Sequence, residues 1–180
     1  TRSSITSTSN TQPLPYWLRM VKTGTSFASF ASNDGVVWTQ LGATQTLSGF
    51  TATNYLAGLS VCSGADGTLC TVNFDNLTIN GLSVGGSLGS VTSADIGAVA
   101  AAGSWSQASG VYTVTGSGAD IWGSADEFRY VWFPVSSSSN CTITARITSQ
   151  TNTSAWAKAG VMIRETNAAG SRQAMMSATP

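Results

Sequence analysis

The chain has 180 residues, enough to bury a core unaided as one domain or as two half-size units. Only 9% of them are charged, against roughly 25% in ordinary globular domains, and Lys plus Arg balances Asp plus Glu at eight each. This excludes a basic footprint for nucleic acid or an anionic membrane surface, and no apolar run reaches the roughly 18 residues of a membrane helix. Solubility falls instead to Ser, Thr, Asn, Gln and Gly, a surface that loses little when it is desolvated against another copy of itself.

Almost every segment reads as strand or turn. Tyr16 to Lys22 alternates, Ser26 to Ser32 follows the turn Thr23-Gly24-Thr25, and Asn33-Asp34-Gly35 is expected to close a hairpin onto Val36 to Gln40. Ser32 to Trp38 also has the look of an Asp-box turn, in which the Trp packs beneath the turn. Asn54 to Val61 and Thr71 to Ile79 are two further strands. Val111 to Thr115, Phe128 to Phe133, Cys141 to Thr148, Trp156 to Arg164 and Arg172 to Ala178 repeat the style. Ser93 to Gly97 and Ala98 to Ala102 hint at a helical turn. Many short strands broken by Gly, Ser and Asn make an all-β sandwich.

Cys62 and Cys70 bracket a polar, glycine-containing turn and are expected to face each other across a hairpin loop. A disulfide there would contribute about 2–3 kcal/mol through loop closure. Two half-buried thiols are the alternative, and metal-ligand spacing is absent. Cys141 heads an alternating strand and reads as a buried small hydrophobe, with an intermolecular bridge as its alternative. Residues 80–93 are rich in Gly and Ser and read as a flexible linker; Asn80-Gly81 could instead turn a hairpin from Leu77-Thr78-Ile79 into Leu82-Ser83-Val84.

Three blocks carry a family resemblance: Gly116-Ser117-Gly118-Ala119-Asp120-Ile121-Trp122-Gly123, the run from Ala155 to Glu165, and Tyr16 to Lys22 together with Phe74-Asp75-Asn76-Leu77. Together they resemble a concanavalin A-like (jelly-roll) module found as tandem repeats in large secreted bacterial proteins. In that family the first two blocks precede the third, and here the order is reversed. The resemblance thus implies residues 1–79 as the C-terminal half of one repeat, 80–93 as linker and 94–180 as the N-terminal half of the next. It implies a jelly-roll β-sandwich that is circularly permuted or completed by neighbouring copies. A glycine-rich strand usual in the family between the blocks ending at Pro180 and starting at Thr1 has no counterpart, so an edge is expected to seek a partner strand.

Enzyme readings find little to stand on. The chain has no His, which removes the commonest general base. Its two Glu, Glu127 and Glu165, lack the closely spaced acidic partner of jelly-roll glycosidases, since Asp126 and Glu127 are adjacent and a strand would point them to opposite faces. We expect no enzyme.

Carbohydrate binding is the stronger alternative, because sugar rings stack on exposed aromatic faces and the chain has six Trp. Tyr130 and Trp132, two apart, share a sheet face and form either a stacking platform or part of the inner core; Trp122 and Trp105 complete the candidate set. Relatives of lectin-like jelly rolls often hold calcium, so a structural calcium ion would fall to Asp75, Asp95 and Asp120; these could equally cap turns. No other cofactor is implied. The expected role is a non-catalytic extracellular, cell-surface repeat that builds a fibre or adhesive stalk by strand complementation with other copies of itself. The alternative is a carbohydrate-binding accessory module of a secreted polysaccharide-degrading protein, with extracellular polysaccharide as partner.

Overall fold

The computed structural model describes residues 4–9, 13–83, 90–136 and 140–180. Alternation dominates. In Tyr16–Thr23 the side chains of Tyr16, Leu18, Met20 and Lys22 are buried while Trp17, Arg19 and Val21 are half-buried, the period of two that a strand lying on a core requires.

In chain order the strands are β1 (Ser4–Ser9), β2 (Tyr16–Thr23), β3 (Ser26–Ser32), β4 (Thr39–Gln40), β5 (Gln45–Thr46), β6 (Tyr55–Cys62), β7 (Cys70–Ile79), β8 (Leu82–Ser83) and β9 (Thr92–Ile96). The second half adds β10 (Ser104–Ala108), β11 (Val111–Gly116), β12 (Ile121–Trp122), β13 (Ala125–Asp126), β14 (Phe128–Val135), β15 (Asn140–Gln150), β16 (Lys158–Arg164) and β17 (Gln173–Ala178). One sheet runs β1-β17-β16-β6-β14-β9 and the other β10-β11-β7-β15-β2-β3-β4, with β5 on β3 and β8 on β7; β12 and β13 form a separate hairpin. The molecule is all-β, with antiparallel pairing throughout both sheets except between β1 and β17, which run parallel.

Strands from residues 1–79 and from 92–180 are interleaved within each sheet. β6 lies between β16 and β14, and β7 lies between β11 and β15. Between the sheets sits a core that includes Leu18, Met20, Phe27, Phe50, Tyr55, Leu59, Val61, Phe74, Val131, Phe133, Ile143, Val161 and Met176. Each half therefore buries its apolar faces against the other.

A bulge resets β7. Cys70, Val72 and Phe74 face the core, then Leu77 and Ile79 do. The phase changes because one extra residue lies between Asp75 and Thr78 opposite Arg146 and Thr144, with Asn76 at φ 50°. Asp75, just before the bulge, lies on the outward side with Thr71 and Asn73 and meets Arg146 there.

Strands β6, β14, β16 and β17 are buried on both faces, so the six-stranded sheet carries a second apolar cluster on its outer side: Cys62, Ile96, Ile121, Phe128, Tyr130, Trp132, Met162 and Met175. Glycine makes this layering fit. A Cβ on Gly58 would lie 2.1 Å from the Val131 carbonyl oxygen, and one on Gly160 would lie 2.0 Å from that of Met176.

Several expectations are corrected. Cys62 and Cys70 form no disulfide; both are free and buried. The segment between them is no hairpin but a crossing from one sheet to the other, and it delivers Cys62 to the outer cluster and Cys70 to the inter-sheet core. Ser93 to Gly97 is no helical turn, because Thr92–Ile96 pairs with β14. Of Val36 to Gln40 only Thr39 and Gln40 pair with β3. Asn80-Gly81, with φ of 53° and 78°, turns the short hairpin of β7 onto β8, reaching Ser83; Val84 lies outside the described residues.

Burial pushes the thiols of Cys62, Cys70 and Cys141 up to about 11, so each stays protonated and unreactive near neutrality. A thiol-specific disulfide reagent is expected to leave the native protein unlabelled and to modify three thiols after unfolding in guanidinium chloride. Labelling of one thiol only would reveal a bridge between the other two.

Candidate functional site

Tyr130 and Trp132 do share a face, the outer one of the six-stranded sheet, and that face is covered. Their rings stack at 5.2 Å with 22° between planes, and the Tyr130 hydroxyl donates to the Met162 carbonyl at 3.0 Å. Since β6 lies between β14 and β16, the Tyr130 ring crosses an entire strand to reach that carbonyl, and Ser60 and Gly58, opposite Tyr130 and Trp132, keep the crossing low. Burial holds the Tyr130 phenol far above its ordinary range. With Tyr130 at 0% and Trp132 at 7% exposure, neither offers a face to a sugar.

The roof over these rings is built from Ile121 and Ala169 and is fastened by Arg164. The Arg164 guanidinium is wholly buried and donates to Asp126 at 2.9 Å, to the Thr166 carbonyl at 2.8 Å and to the Ala168 carbonyl at 2.6 Å. It also lies 5.2 Å from the centre of the Phe128 ring. The Asp126 N–H donates to the Ala169 carbonyl. One cation thus joins β16, β13 and the segment 165–171.

On the nine-stranded sheet the remaining aromatics are structural. Asp34 Oδ1 accepts the N–H groups of Val36 and Val37, Ser32 Oγ accepts those of Asp34 and Gly35, and Trp38 Nε1 donates to the Gly35 carbonyl, which is the expected Asp-box arrangement. Arg19 lies 3.7 Å from the Trp38 ring centre, with Trp17 edge-on to Trp38 and Arg146 over Trp17. Trp105 is half-buried, stacked on the buried Tyr112 at 6.3 Å.

The three aspartates considered for calcium are not brought together. Asp75 binds Arg146 through both carboxylate oxygens, Asp95 pairs with Arg129 and accepts the Gly103 N–H, and Asp120 pairs with Lys158. Among the described residues no three His, Cys, Asp or Glu side chains group as metal ligands. The two glutamates hold loops: Glu165 accepts the Thr51 and Ala52 N–H groups and pairs with Arg172, while Glu127 accepts the Ala119 N–H.

Two indoles remain at the surface. Trp122 is 67% exposed and Trp156 is 72% exposed. The sequence reading included the first as a binding residue but placed Trp156 inside a strand, whereas β16 begins at Lys158 and Trp156 belongs to the preceding loop. The run from Ala157 to Arg164 is apolar at nearly every position, which hides the boundary; Ser154, whose hydroxyl accepts the Trp156 N–H, is the local turn signal that marks it.

Arg164→Ala is expected to cost about 3–5 kcal/mol by stranding a buried Asp126 carboxylate, measured by urea unfolding; a loss within experimental error would show that the roof stands without its cation. Asp75 has a second, acid-dependent role. Hydrogen bonds from Arg146 hold its carboxyl below the usual range, so its contribution is complete above the unfolded value of about 4 and is lost as pH falls through the lower folded value. The stability gap between the native protein and Asp75→Asn should therefore be widest near neutrality and close in acid, checked by thermal melts across pH. No family model, curated protein or solved structure matches this chain.

Proposed function

We propose that this chain is a non-catalytic, extracellular β-sandwich repeat of the concanavalin A-like jelly-roll type, its half-repeats in swapped order, which extends a surface fibre or stalk by exchange of edge strands between copies. The observation that carries this reading is the pairing of β1 with β17. Ser4–Ser9 lies parallel to Gln173–Ala178, in register from Ser4 opposite Gln173 to Ser9 opposite Ala178, against a sheet whose other described pairs are antiparallel. A six-residue parallel edge strand is held less firmly than its antiparallel neighbours. The β17 edge accepts any strand of suitable sequence, so residues 4–9 of one copy can occupy the edge of the next.

Such a contact uses different surfaces on the two copies, and a heterologous contact that does not close propagates as a fibre. The charge-poor composition opposes this little, since few ions must lose water when copies meet. Buried, protonated thiols suit an oxidising exterior, because they offer no thiolate to oxidants. Both glutamates are occupied with loop N–H groups, in keeping with a structural task.

Light scattering after size exclusion, with negative-stain electron microscopy, tests the reading. Multimers or fibres that grow with concentration are expected, and Thr6→Pro, which removes an N–H from the middle of β1, should reduce them to monomers. A monomer of 18.5 kDa at every concentration would overturn strand exchange.

A further inference from the structure

We propose that Lys158 and Asp120 condense to an isopeptide bond, a covalent tie from β16 to the segment that leads into β12. Lysine is almost never fully buried unless paired, yet both lysines of this chain, Lys22 and Lys158, are buried. Lys158 is 7% exposed at the first position of β16, and its ammonium meets Asp120, whose side chain is 44% exposed. Taking an ammonium out of water is costly, and a half-exposed carboxylate offsets that cost poorly because solvent screens the attraction. Condensation removes both charges and leaves a neutral amide.

The contacts at Nζ suit the amide. An ammonium has three N–H donors and a secondary amide has one. Nζ lies 2.5 Å from Asp120 Oδ1 and 3.2 Å from the Trp156 carbonyl oxygen. Once the bond to Asp120 Cγ forms, the remaining N–H donates to that carbonyl and no donor is left over. Charge-assisted N–H···O bonds run about 2.7–2.9 Å, whereas the bond lengths of an amide put its nitrogen and oxygen about 2.3 Å apart. The Lys158–Asp120 distance lies between the two. Arg146 and Asp75 also approach to 2.5 Å, but that pair is bidentate, Nε to Oδ1 and Nη2 to Oδ2, and a guanidinium keeps its proton. Arginine likewise meets Asp95 and Asp126, whereas Asp120 meets an amine that can lose a proton and be acylated.

Both partners stand on fixed backbone. Ile121 beside Asp120 enters the outer cluster, and Ala157 beside Lys158 is fully buried. Groups held in this way react as though at roughly 10⁵–10⁸ M, which favours a condensation that free amine and acid do not complete in water. The Lys158 ammonium first gives one proton to the solvent that reaches Asp120. The Nζ lone pair then attacks Asp120 Cγ, and the Ile121 N–H, bonded to Oδ1 at 2.7 Å, meets the negative charge that gathers on that oxygen. Oδ2 takes up the released proton and a second one from Nζ, and it leaves as water. Amine and carboxylic acid become amide and water, and no oxidant or co-reactant is consumed. Since β12 and β13 are two residues each, the bond fastens their hairpin more firmly than its own ladder does.

Mass spectrometry of the purified chain, denatured before measurement, tests this. The mass is expected to be one water below that of the sequence. Lys158→Arg, which keeps the charge but cannot condense, should show its full sequence mass, as should Asp120→Ala. Chymotryptic digestion of the native chain should release one branched peptide that joins Asp120 to Lys158. A native chain at its full sequence mass would overturn the bond. So would a water loss that persists in Lys158→Arg, since the dehydration would then lie elsewhere. The mass of the native chain decides the question even where a variant fails to fold. Because the bond lies within one chain, Thr6→Pro should show the same water loss, so the bond and the strand exchange fail separately.

Discussion

The buried ion pair between Arg164 and Asp126 is the constraint on which the outer half of the molecule depends. A guanidinium at 0% exposure is tolerable only if nearly every donor is met, and here a carboxylate and two carbonyls meet them, with the Phe128 ring alongside. Those carbonyls belong to the segment after β16, which the cation draws back over its own sheet. That movement brings Ala169 onto the outer cluster and seals Tyr130 and Trp132 from solvent. A six-stranded sheet that would otherwise present an aromatic face to water becomes the middle layer between two apolar clusters.

The covered face sets strict terms for the strands below it. Tyr130 can reach the Met162 carbonyl only if nothing rises from β6 to block its ring, and Ser60 and Gly58 supply the low floor. Close packing leaves little freedom at Gly58 and Gly160, where a Cβ would collide with backbone. The same layer holds Ile121 of the β12–β13 hairpin in its cluster, and Asp126 of that hairpin is bonded to Arg164 and to the Ala169 carbonyl.

The two halves of the chain depend on each other through strand order. β7 is flanked by β11 and β15, so a strand of the first half of the chain is hydrogen-bonded on both sides to strands of the second. Asp75, on the outward side of β7 just before the bulge at Asn76, pairs with Arg146 and fastens the halves across their outer surface as well. A bulge shifts which side chains face the core, and this one returns Leu77 and Ile79 to it in place of Asn76 and Thr78 without breaking the sheet.

Much of this was legible in the residues alone. The strands from Tyr16, Ser26, Phe128 and Cys141, the Asp-box turn at Asp34 and the shared face of Tyr130 and Trp132 follow from alternation and turn chemistry, which act over a few residues. Only the tertiary structure decided which faces are covered, because burial is set by segments distant in sequence. Alternation put Tyr130 and Trp132 on one side, but it took Arg164 and the segment 165–171 to bury them. The spacing of Cys62 and Cys70 suggested a hairpin, yet pairing with different strands sent the thiols to different clusters. Asp75, Asp95 and Asp120 each found a different cation, a choice made by strand register. The prominence of Trp156 likewise rested on where β16 begins, since an apolar run does not mark its own first hydrogen bond.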